Sequence, residues 1–160
     1  MIADASAAIG LSVTGVLHSW FGISHGMATV TITGIVLFLL PLARFRLYGN
    51  ELFRLLILAS MLIWVIIFNH KAESSTFIIA VAGVAIWYFA MPKANLRTAL
   101  LLLVFIFTSL STTDIFPPYI KQHFIYPFKI KAVPCILVWC VVFAELMLLP
   151  KDNAPDKIQA

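Results

Sequence analysis

Apolar residues in this chain fall into long, nearly unbroken runs, not into the one-faced or alternating patterns of a soluble fold. Five runs stand out, at residues 25–43, 52–68, 76–91, 98–110 and 132–149. Their length favours α-helix over strand, and each ends at a polar or proline-bearing break. Arg44-Phe45-Arg46-Leu47-Tyr48-Gly49-Asn50-Glu51 separates the first two runs, and Pro41 closes the first by kinking or ending it. Asn69-His70-Lys71-Ala72-Glu73-Ser74-Ser75 separates the next two, and Pro92-Lys93-Ala94-Asn95-Leu96-Arg97 forms a short basic turn. The longest break, 111–131, carries Pro117, Pro118 and Pro127, which forbid one continuous helix. Its aromatic content suggests that it lies on a membrane surface. The stretch 5–24 is more polar, interrupted by Gly10, Gly15 and Gly22. It reads as an interfacial or re-entrant segment, with Trp20 and Phe21 suited to a membrane–water boundary.

Composition turns these runs into an expected fold. Of the 160 residues, 62% are hydrophobic and 11% charged, and the mean hydropathy is +1.01. Soluble domains carry roughly 25% charged residues, so lipid is expected to cover part of this surface. The expected fold is all-α and integral to the membrane: a polytopic helical bundle of about five transmembrane helices. Residues 1–24 would form the interfacial or re-entrant segment, 25–149 the transmembrane bundle and 150–160 a disordered cytoplasmic tail.

Charge adds an orientation. The net charge is +4 and the pI about 9.3. The basic residues cluster between apolar runs, as in membrane loops, so nucleic acid is not an expected partner. Arg44, Arg46, Arg54, Lys93, Arg97, Lys151 and Lys157 fall on one side of the alternating loops, and Lys71, Lys121, Lys129 and Lys131 on the other. The richer side is expected to be cytoplasmic, with the N-terminus outside, the C-terminus inside, and the chain in the cell membrane. The first ten residues lack the basic segment of a signal peptide.

Candidate chemistry lies in two polar clusters. Asn69, His70, Lys71 and Glu73 follow an almost featureless apolar helix. Lys71 could meet a phosphate as a point charge, Asn69 and His70 could hydrogen-bond it, and Glu73 could hold the lysine. The alternative is a solvated turn separating two helices. Ser111 and Asp114, within Ser109-Leu110-Ser111-Thr112-Thr113-Asp114, could bind a sugar or diphosphate, or could simply cap a helix. Lys129 and Lys131 either attract an anionic head group or mark the interface. Glu145, about a turn from the end of the last run, is expected to snorkel outward. Cys135 and Cys140 point in different directions on a helix and read as apolar fillers. His18, His25 and His123 lack metal-ligand spacing, and no metal or cofactor is expected.

Several strings resemble membrane glycosyltransferase family 87. They are Phe53-Arg54-Leu55-Leu56, then Ile63 onward through Asn69-His70-Lys71-Ala72-Glu73-Ser74, and Gly83-Val84-Ala85-Ile86-Trp87. Thr108-Ser109-Leu110-Ser111-Thr112-Thr113-Asp114-Ile115-Phe116-Pro117 and Lys131-Ala132-Val133-Pro134-Cys135 with Trp139 continue the likeness. The resemblance implies a GT-C type hexosyltransferase. Such an enzyme moves a hexose, often mannose, from a polyprenyl-phosphate carrier to a lipid or glycan acceptor outside the cytoplasm. That fold needs more helices than this chain offers, so the chain looks like the C-terminal part of a larger GT-C bundle, inactive alone. The family's acidic base has no match here, since Asp4 lacks a supporting motif, and the catalytic residue is left unassigned. Asn69, His70, Lys71, Glu73, Ser111 and Asp114 would bind the donor. Ser74-Ser75 and Thr112-Thr113 depart from the family's usual serine-proline. The competing expectations are a small transporter subunit and a structural subunit of a membrane complex.

Overall fold

In the computed structural model, residues 12–22, 27–69, 76–109 and 132–150 are described. Among them the chain forms helices and turns only. Helix α1 is Val13–Phe21, inside the stretch expected to be interfacial or re-entrant. Ser12 caps it by accepting the Gly15 N–H at 3.3 Å, and Gly22 closes it with a left-handed φ of 65°. Helix α2 is Met27–Leu42, and Pro41 falls in its last turn. A 3-10 turn at Phe45–Leu47 leads into α3, Glu51–Ile67. The Asn50 side chain fixes that start by accepting the N–H groups of Leu52 and Phe53 at 2.9 and 3.4 Å. Helices α4, Phe77–Ala90, and α5, Asn95–Val104, follow. The backbone of α5 then widens into a π-helical turn at Phe105–Ser109. Helix α6 is Val133–Leu148, with Pro134 in its first turn, where its missing N–H is harmless.

The expectation of an integral membrane bundle with about five transmembrane helices is corrected by helix length. Among the described residues, no helix is long and apolar enough to cross a membrane. The longest, α3, has 17 residues. At 1.5 Å per residue that is about 25 Å, against roughly 30 Å of hydrocarbon. The apolar runs are themselves short, and the helices they form are no longer than the runs. Ile67 ends α3 before the polar string begins, and α5 keeps regular α geometry for only 10 residues before the π turn.

Packing places α3 at the centre, against α4, α6 and α2. The core combines Phe53, Leu56, Ala59, Ile63 and Ile67 of α3 with Phe77, Ala80, Val84 and Trp87 of α4, and with Cys135, Val138, Val142 and Leu146 of α6. Gly83 lets α3 and α4 approach closely. A Cβ there would stand 2.8 Å from the Ala59 carbonyl oxygen and 2.9 Å from Ile63 Cγ1. Three buried or half-buried indoles stitch the helices together. Trp64 donates to the Gly34 carbonyl at 2.9 Å, Trp139 to Ser60 Oγ at 3.1 Å, and Trp87 to Glu145 Oε2 at 2.6 Å. Large apolar side chains also stay on the outside, among them Ile78, Phe89 and Leu148.

Candidate functional site

Asn69, just past the end of α3, is exposed, and its N–H donates to the Ile66 carbonyl at 3.3 Å. His70, Lys71, Glu73, Ser111 and Asp114 lie outside the described residues, as do Lys129 and Lys131. Of the six expected donor ligands, only Asn69 therefore has a described position.

Phe68, the residue before Asn69, lines a cavity of about 310 Å³. Its walls come from Val13 and Leu17 of α1, Thr29, Val30, Thr33, Gly34 and Leu37 of α2, Phe68, and Ile136, Trp139 and Cys140 of α6. That size lies at the lower end of small-molecule sites. The two threonines are its main polar groups, and Thr33 Oγ1 already donates to the Thr29 carbonyl at 2.9 Å. Gly34 shapes the wall twice. Its carbonyl takes the Trp64 indole, and its missing side chain makes room for the Phe68 ring, which a Cβ would overlap. Phe38, Trp64, Phe68, Trp139 and Phe143 form a chain of ring contacts with centroids 5.2–6.0 Å apart, which fixes the Phe68 side of the wall. An apolar chain or ring is the natural occupant of such a lining.

Sequence reading missed this cavity. Trp139 and Cys140 register along the chain as ordinary apolar positions, and only the tertiary meeting of α1, α2 and α6 gives them a shared space.

At the opposite end of the bundle the charged residues are organised by the structure. Glu145 does not snorkel, and that expectation is corrected. Its Oε1 accepts from Arg97 Nε and Nη2 at 3.1 and 2.8 Å, and its Oε2 accepts from Trp87. The Arg97 and Glu145 side chains are only 19% and 16% exposed. Arg97 Nη1 also donates to the Pro92 carbonyl at 2.5 Å. Both carboxylate oxygens are engaged, so the acid is a tie among α4, α5 and α6. Arg44 makes a second tie. Its guanidinium donates to the carbonyls of Leu146, Met147 and Leu149 at 2.5, 3.0 and 2.8 Å, which satisfies the open C-terminus of α6.

Comparison with family models, curated proteins and solved structures gives no match to this chain.

Proposed function

We propose that this chain is a portion of a hexosyltransferase that handles a sugar, mannose by preference, carried on a polyprenyl phosphate, and passes it to a lipid or glycan acceptor outside the cytoplasm. The chain would work at the cell membrane. Support comes first from the resemblance of the Asn69-His70-Lys71-Ala72-Glu73-Ser74 string to family 87. The observation that carries the proposal is the apolar cavity whose lining includes Phe68, one residue before that string begins. A lipid-linked sugar phosphate needs these two environments side by side. An apolar space takes the isoprenoid, and cationic and hydrogen-bonding groups take the phosphate.

In this scheme the prenyl chain enters between α1, α2 and α6. Lys71 neutralises the phosphate as the glycosidic bond to it breaks, and His70 and Asn69 hydrogen-bond its oxygens. Ser111 and Asp114 orient the sugar. The base that takes the acceptor proton comes from outside this set of residues, so the purified chain alone transfers no sugar.

Equilibrium binding of polyprenyl-phosphate mannose to the purified full chain tests the proposal. Saturable binding is expected. Val30→Trp, which fills the cavity, should weaken it sharply. Lys71→Ala should weaken it about ten- to a hundred-fold, the worth of a charge-assisted hydrogen bond, and His70→Ala less. Binding untouched by both the Val30 and the Lys71 substitution would overturn the assignment.

A further inference from the structure

Every described Lys, Arg, Asp and Glu lies at one end of the bundle, where α2 and α4 finish, α3 and α5 begin and α6 terminates. The bonds from Arg44 to the last carbonyls of α6, and from Arg97 to Glu145, hold these ends together. The five cations there are Arg44, Arg46, Arg54, Lys93 and Arg97, and the two acids are Glu51 and Glu145. Glu145 is taken up by Arg97 at 2.8 Å, and Glu51 lies 3.8 Å from Arg54. Arg44 is engaged with backbone carbonyls. Arg46 and Lys93 are exposed and have no hydrogen-bond or ion-pair partner among the described residues.

Exposed apolar side chains border these cations, beside exposed polar ones such as Glu51 and Asn95. Arg44 and Arg46 border a cavity of about 600 Å³ together with Ala43, Phe45, Leu47 and Met147. Around the same end, Phe45 is 72% exposed, Phe89 82% and Leu148 80%. A ligand matching this face must offer negative charge and apolar surface within a few ångströms of each other. A nucleic acid offers phosphates without aliphatic surface, and a free anion offers no apolar surface at all. A phospholipid offers both, a phosphodiester beside acyl chains, and exposed aromatic rings next to arginines suit that boundary.

We propose that the Arg44–Arg46 turn and the Lys93 turn at the same end of the bundle form a docking face for anionic phospholipid. The head-group phosphate sits in the cavity beside Arg46, and Phe45, Met147 and Leu148 lie against the acyl chains. The proposal is independent of sugar transfer, since it uses the opposite end of the bundle from Asn69.

The test is native mass spectrometry of the full chain in a neutral detergent, titrated with phosphatidylglycerol or with phosphatidylcholine of the same acyl chains. Phosphatidylglycerol should be retained preferentially, and raised salt should erode the preference. Removing each unpaired cation should lower it about fivefold, the worth of one basic side chain near an anionic surface, so Arg46→Gln with Lys93→Gln should bring the two lipids close to parity. Both side chains are exposed, and unchanged circular dichroism would confirm that the variant folds. Equal retention of the two lipids by the parent, or a full preference surviving in the double variant, would overturn the proposal. Displacement of the lipid by inorganic phosphate would show a bare-anion site, and displacement by a short DNA duplex a nucleic-acid surface. Either displacement would also overturn it.

Discussion

Removing Arg97 tests how the charged end of the bundle is held together. In Arg97→Ala, Glu145 loses two guanidinium hydrogen bonds, at 2.8 and 3.1 Å, and keeps the Trp87 indole. With both side chains less than one-fifth exposed, water cannot fully replace what is lost. Exposed ion pairs are worth about 0–1 kcal/mol, whereas orphaning one member of a buried pair costs about 3–5 kcal/mol. The geometry lies between these limits and nearer the second, so Arg97→Ala should destabilise the chain by about 2–4 kcal/mol. Glu145→Gln keeps acceptor and donor capacity at the site and should cost less. Replacing both residues by apolar ones, Arg97→Met with Glu145→Leu, removes the unmatched charge and should recover much of the loss. Chemical unfolding followed by circular dichroism, arranged as a double-mutant cycle, measures the coupling. A cost below about 0.5 kcal/mol for Arg97→Ala would mean that Glu145 is solvated and snorkels after all.

Four further outcomes follow from particular contacts. Arg44→Ala strips the last carbonyls of α6 of their donor, so hydrogen exchange should accelerate in the final turn of α6 while the middle of α3 stays protected. Gly83→Val drives a side chain into the Ala59 carbonyl and Ile63, and should cost about 1–3 kcal/mol in unfolding free energy. Ser60→Ala leaves the buried Trp139 indole N–H without its acceptor and should cost about 1–3 kcal/mol, with a blue-shifted, altered tryptophan emission. A maleimide should label exposed Cys140 well before buried Cys135, and occupancy of the neighbouring cavity should slow the Cys140 reaction.

Much of the helix map was legible in the chain. The runs at 52–68, 76–91 and 132–149 match α3, α4 and α6 closely, because an Asn cap, a proline or a polar string marks their limits. What misled was the step from apolar run to membrane span. A run such as 98–110 reads as continuous, yet α5 starts earlier, at Asn95, and yields to π geometry at Phe105, a change of hydrogen-bond register that residue polarity does not encode. The ties at the charged end were equally hidden. Arg97 and Glu145 are 48 residues apart, and Arg44 reaches carbonyls more than 100 residues away. No local periodicity reports such pairings. The cavity escaped for the same reason, since its lining is shared among three helices. The string from Asn69 to Glu73, by contrast, was conspicuous in the chain because it interrupts apolar sequence so abruptly.

The proposed function depends on where a polyprenyl phosphate sits. A polyprenyl-phosphate analogue with a photoreactive group near the start of its isoprenoid chain, cross-linked to the full chain and mapped by peptide mass spectrometry, reads that position directly. Adducts are expected on the cavity walls, in the stretches that hold Val30, Thr33, Phe68 and Ile136, and excess unlabelled polyprenyl phosphate should suppress them. Adducts spread over the outer apolar positions such as Ile78 and Phe89, with no protection by the competitor, would contradict a built prenyl site and with it the proposed function.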